Sequence, residues 1–202
     1  QNISFFNDAA LNIYPNLEDL ISYSKKLEIK LENKIVSRIT HLKNSGYIRV
    51  EDNNATVIID TAKIGPNHQP GHAHADTLSF EMSIDGNPLI VNSGTSTYEN
   101  SKLRHWQRST AAHNTVEIDG KNSSEVWDVF RTANRAFPMN TLIRDSKNKI
   151  IIESSHNGYQ RIIGGTIHKR RWIFKDNSLI LKDRLIGKFN SAISRIYFHP
   201  DI

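Results

Sequence analysis

The sequence predicts an all-β protein, an antiparallel β-sandwich with a short helical segment ahead of it, and three observations carry that reading. From Gly46 onward, apolar residues fall in short runs broken by turn-forming residues roughly every ten positions, the texture of a sandwich. Asp85-Gly86 separates two such runs with residues that tolerate the positive φ of a type I′ hairpin, and Asp119-Gly120 and Asp176-Asn177 mark further turns. No long helical period follows residue 45.

Taken in order, residues 1–15 read as irregular. Asn16 then precedes Leu17-Glu18-Asp19, acids in a first turn where the helix dipole favours them, and Leu17, Leu20, Ile21, Ser24 and Leu27 continue at helical spacing, which predicts a helix over 17–29. Helical texture gives way to strand texture between about 30 and 45. The predicted strands are Tyr47–Val50, Ala55–Asp60, Leu78–Ile84, Pro88–Val91, His113–Ile118, Lys149–Ser154, Thr166–Lys175, Leu179–Asp183 and Ala192–Phe198. In Thr166–Lys175 the basic run Lys169-Arg170-Arg171 reads as solvated, with Trp172 and Phe174 turned inward.

A chain of 202 residues with 38% hydrophobic and 23% charged residues is an ordinary globular composition, long enough for one good core. There is no cysteine, so any metal must be held by nitrogen and oxygen ligands. No apolar run approaches bilayer-spanning length, and residues 1–15 lack the basic flank and apolar block of a signal peptide. The net charge of +5 favours a polyanionic partner. Acidic polysaccharide ranks above nucleic acid, because the Lys and Arg residues are dispersed and no helix-turn-helix, zinc-finger or aromatic single-strand platform is present.

Chemistry concentrates between His68 and Asn114, which holds five of the nine histidines. His72, His74 and Asp76 stand at i, i+2, i+4, so in an extended segment all three share one face, either a solvated face or the wall of a cleft. With His113 they offer two or three nitrogens to a zinc ion, an oxygen ligand completing a tetrahedron. Arg104 and Arg108, four apart, form a candidate fork for a carboxylate or sulfate, or else an ordinary basic surface. Tyr98 and Trp106 offer flat faces to a sugar ring, or belong to the core or its lid. Trp127 and Arg131 either rim the cleft or pack.

The order of these residues is recognisable. His72-Ala-His74-Ala-Asp76-Thr-Leu-Ser-Phe, Gly86-Asn-Pro-Leu-Ile-Val-Asn-Ser-Gly-Thr95, Tyr98, Arg104 through Arg108 with Ser-Thr-Ala-Ala-His113-Asn-Thr, Asp119-Gly120 and Phe130-Arg131 together closely resemble the C-terminal β-sandwich of the heparinase II/III-like polysaccharide lyases. The resemblance covers roughly residues 40 to 200, and residues 1–30 resemble the end of the α/α-toroid domain that precedes this sandwich. It implies a two-sheet supersandwich over 41–202, a helical remnant and linker over 1–40, and a chain that is the C-terminal portion of a larger enzyme.

The resemblance further implies β-elimination at a uronic acid in a glycosaminoglycan, alginate or bacterial surface polymer. The C6 carboxylate must be neutralised so that C5–H becomes acidic, a base must take that proton, and an acid must protonate the departing O4. In the family a toroid Tyr, helped by Asn or His, faces a sandwich histidine that matches His72. A structural metal, usually zinc, is held by positions matching His74, Asn92 and His113. Asn92 stands where the family usually has aspartate, and a neutral amide attracts a divalent cation less. The toroid Tyr has no counterpart here, so the chain alone is expected to be inactive. Export to the periplasm or cell surface is also implied. The alternative is a non-catalytic module that binds anionic polysaccharide or helps assemble a surface polymer. A lyase makes a C4–C5 unsaturated uronate and a binding module makes none.

Overall fold

The computed structural model describes residues 4–11, 13–31, 37–162 and 164–202. Ahead of the sheets, α1 spans Leu17–Lys26, with the Asn16 side chain accepting from the Asp19 amide at 2.8 Å. It stops three residues earlier than the spacing predicts, because Leu27 caps it and Glu28 takes a left-handed φ of 56°. None of its side chains is buried, and Leu17, Leu20 and Tyr23 stand exposed.

The first sheet is an antiparallel meander of β1 (Ile39–Leu42), β2 (Tyr47–Asp52), β3 (Ala55–Asp60), β4 (Phe80–Ile84) and β5 (Asn87–Ile90), in that spatial order. Asp85 and Gly86 turn β4 into β5 at φ of 50° and 78°, as the turn chemistry predicts. The chain then forms α2 (Lys102–Arg108), β6 (Val116–Ile118), the hairpin of β7 (Glu125–Trp127) and β8 (Arg131–Ala133), and a second sheet. That sheet holds β9 (Pro138–Ser146), β10 (Lys149–His156), β11 (Ile167–Lys175) and β12 (Ser178–Ile186) in the order β12-β11-β10-β9. Last, β13 (Ala192–Ser194) returns to pair with β6.

Period-two alternation builds the core between the two sheets. Ile48 and Val50 of β2, Val57 and Ile59 of β3, and Phe80 meet Ile150 and Ile152 of β10 and Trp172 and Phe174 of β11. Burying each such side chain fully contributes about 2 kcal/mol. The all-β antiparallel sandwich expected from the sequence is the architecture observed.

The basic run of β11 departs from expectation. Arg170 shares the parity of Trp172 and Phe174 and is fully buried with them, while Lys169 and Arg171 on the other face pair with Glu153. Arg170 is compensated by a fork onto Asp183 of β12, 2.7 and 2.8 Å, and by bonds to the carbonyls of Leu78, at 3.0 Å, and Asn114. Other expected strands are also shorter, and that expected over Ala192–Phe198 is only Ala192–Ser194. Leu78 has a φ of 66° in a tight turn before β4, and His113–Thr115 form a loop ahead of β6.

Candidate active site

The segment from Pro70 to Ser79 runs between β3 and β4 as turns and bends, so the shared strand face expected of His72, His74 and Asp76 does not form. The two histidines still converge, through a residue the sequence did not single out. Asp8, in the segment ahead of α1, lies with one carboxylate oxygen 2.9 Å from His72 Nδ1 and the other 2.8 Å from His74 Nε2. Thr95 Oγ1 donates to it at 2.7 Å, and Arg104 grips both oxygens. Burial alone would raise the Asp8 carboxyl, but hydrogen bonds from His74, Arg104 and Thr95 outweigh it and hold the group well below the usual carboxylate range. The segment is itself anchored: Asn7 Oδ1 accepts from the His74 amide at 3.2 Å, and Glu81 accepts from the Phe5 amide at 2.8 Å. Asp76 instead points into the sandwich near Asp60, where burial pushes its carboxyl up to about 7.

The fork expected of Arg104 and Arg108 closes on the protein itself. Ser101 caps α2 by accepting from the Arg104 amide, and the i, i+4 spacing puts both guanidiniums on the helix's buried face at 0% and 1% exposure. Arg104 bonds Asp8, Thr95 Oγ1 at 2.9 Å and the Val129 carbonyl at 2.9 and 3.2 Å. Arg108 bonds the Ala73 carbonyl at 3.1 and 3.3 Å and the carbonyls of Trp127, at 3.2 Å, and Asp128, at 3.1 Å. One helix face thus ties the histidine loop to the β7–β8 hairpin. Trp106, on the opposite face, is 43% exposed and stacks edge-on against Tyr197.

His72 is the reactive-looking member of the set. Its side chain is 61% exposed, and its ring is bracketed by Tyr98, centroid 6.0 Å away, and Phe130 at 5.5 Å. It opens on a groove of about 1070 Å³ whose lining includes Lys43, Lys63, Asn67, His68 and Gln69 and, among the described residues, no acid. Trp127 lies apart from that groove, half exposed, on a smaller hollow with Lys121 and Arg161.

Behind His72 sits a buried polar pocket. His74 and His113 are fully buried with ring centroids 5.2 Å apart, and Asn92 Oδ1 is 3.2 Å from His113 Nδ1. Burial, ahead of neighbouring charges, holds both imidazoles below their ordinary pKa and therefore neutral. With Nε2 of His74 committed to Asp8 and Nδ1 of His113 to Asn92, His74 Nδ1 and His113 Nε2 are left buried without partners, as is Asn92 Nδ2. Orphaned neutral imidazole nitrogens, one backed by a carboxylate, suit a divalent cation. Among the described residues no group of three or more His, Cys, Asp or Glu surrounds such a point, so an anionic ligand would be lacking.

The chain is similar to known proteins. The chain is 27% identical over 134 residues to a heparin-sulfate lyase of Bacteroides stercoris, covering 64% of this chain and 18% of that protein. To the heparin-sulfate lyase of Pedobacter heparinus it is 34% identical over 90 residues, 40% of this chain and 13% of that one. The crystal structure of heparan sulfate lyase HepC from Pedobacter heparinus superposes with a TM-score of 0.67 at 19% identity, over 92% of this chain and 30% of that one. The structure titled Heparinase III-BT4657 gene product gives 0.65 at 20% identity, over 91% and 29%. The chain therefore spans less than a fifth of the curated relatives it matches. The family model described as Heparinase II/III-like, C-terminal, matches residues 35–202, and the chain belongs to that family.

Proposed function

We propose that this chain is the sandwich portion of a polysaccharide lyase that cleaves a uronate-containing polyanion by β-elimination, with His72 on the wall of its cleft. The observation that carries the reading is the placement of His72: exposed, ringed by aromatics, and facing a groove lined by lysines and, among the described residues, by no acid. A groove of one sign concentrates a polyanion and lowers the cost of bringing a carboxylate beside the base. Lys43 and Lys63 then meet the sugar's anionic groups, while Arg104 and Arg108 serve substrate from behind, by fixing Asp8 and the Ala73 carbonyl. His72 Nε2 exchanges a proton with the sugar, at C5 or at the departing O4, and the opposite role falls to a group outside these residues.

His74, Asn92 and His113 would hold the family's divalent metal. Its contribution, when bound, is to tie β5, the histidine loop and the loop before β6 at one point. The relatives' names make heparan sulfate the first substrate to try. Residues 1–40 fit the tail of a preceding helical domain that supplies the remaining catalytic groups, and an exported protein is the natural setting for such a polymer.

The test is ultraviolet absorbance of the unsaturated uronate formed from heparan sulfate. The intact protein forms product, the His72→Ala variant loses it by at least about a hundredfold, and residues 1–202 alone form none. Retained binding by an intact protein that never makes unsaturated product would favour the alternative, a module that only binds anionic polysaccharide.

A further inference from the structure

Asp8 does more than neutralise a buried arginine. It lies ahead of α1, 64 residues from His72 and 96 from Arg104, yet its two oxygens serve both histidines of the loop at once. Which nitrogen of a neutral imidazole carries the proton is set by the hydrogen bond the other makes. A carboxylate held by Arg104 and Thr95 can only accept, so the His72 nitrogen that faces it, Nδ1, must be the donor. In the neutral ring that leaves Nε2 with the free lone pair, and the ring cannot turn over without giving up its bond to Asp8.

We propose that Asp8 is a positioning residue for His72, fixing its tautomer and ring orientation so that Nε2 meets the sugar. The inference rests on the catalytic role given to His72 above. It also makes the segment before the sandwich part of the active site, because the carboxylate that orients the sandwich histidine is delivered by residues 4–11.

Three measurements on the intact protein separate this from a purely structural role. The first needs no activity: nitrogen correlation spectra of histidine-labelled protein should show His72 as the Nδ1–H tautomer, moving toward Nε2–H in Asp8→Asn. A wild-type His72 already in the Nε2–H form would overturn the proposal whatever the enzyme does. The second is a cycle of kcat values on heparan sulfate. Asp8→Asn should lower kcat by about 10–100-fold with KM within about twofold, the usual cost of removing a group behind a reacting residue. In a His72→Ala background the same change should cost no more than about twofold. An equal loss in both backgrounds means that Asp8 acts through the fold or through His74, and the proposal fails. Normal turnover by His72→Ala alone would instead sink the catalytic role of His72. Because Asp8→Asn leaves a buried cation short of its partner, the third variant is Asp8→Glu, which keeps the charge against Arg104 but moves the oxygens. It should fold, with a urea-unfolding midpoint close to that of the wild type, and still lose kcat; full activity in a folded Asp8→Glu would count against positioning.

Discussion

His156 and His168 face each other across β10 and β11, with His168 Nδ1 3.2 Å from His156 Nε2 and both rings fully buried. The Gly158 amide donates to His156 Nδ1 at 3.1 Å, and His168 Nε2 reaches Asp183 Oδ1 at 2.8 Å, so the two neutral rings form one directed chain of hydrogen bonds. Arg170, Arg161 and the Tyr159 ring complete the surroundings.

That chain predicts acid sensitivity. Burial, before any neighbouring charge, lowers both imidazole pKa values, so the folded state stays neutral where the unfolded state, near 6.5, takes up protons. Stability is then fully present above the unfolded value and lost as pH falls below it, by up to about 1.4 kcal/mol per histidine at about pH 5.5. Thermal unfolding at about pH 7.5 and 5.5 measures the loss, to which the buried His74 and His113 add by the same argument, and His156→Gln should shrink the difference by one ring's share, up to about 1.4 kcal/mol.

Arg170→Met removes a buried cation and strands Asp183 and two carbonyls. It should destabilise by about 3–5 kcal/mol in urea titration, and Arg170→Lys should recover little, since one ammonium cannot reproduce the fork.

Lys43 and Lys63 face the groove, and among the described residues no carboxylate lines it. Alanine at both should raise KM for heparan sulfate about tenfold, leave kcat within about twofold, and flatten the salt dependence of binding. A fall in kcat with KM unchanged would place the polymer elsewhere.

Elemental analysis of the purified protein should find about one divalent ion per chain, lost in His74→Ala and in His113→Ala. Asn92→Asp supplies the missing anionic ligand and should tighten binding about tenfold or more in competition with a chelator. A metal-free wild type would mean that the three side chains form only a polar core.

Hairpins were legible because their turns carry their own chemistry, as at Asp85-Gly86 and Asp176-Asn177, where positive φ is met by residues that tolerate it. The four-residue spacing of Arg104 and Arg108 suggested a fork, but that both turn inward from α2 depends on Asp8 and four carbonyls that no local pattern reveals. Arg170 was misread: it shares the parity of Trp172, but its charge argued for solvent, and the facing Asp183 and two distant carbonyls reverse that cost. The His72 to Asp76 alternation misled because Pro70, Gly71 and the left-handed Leu78 break the segment into turns. Asp8 carried no signal at all, since its partners are distant in sequence.

The exposed leucines of α1 invite truncation for anyone wishing to produce the sandwich by itself, and a chain cut ahead of β1 would shed that sticky surface. It would also discard Asp8, leaving Arg104 as a buried cation facing an empty socket and His72 free to spin. Solubility and integrity pull the boundary in opposite directions, so the smallest piece that keeps its site in order begins upstream of the sheets.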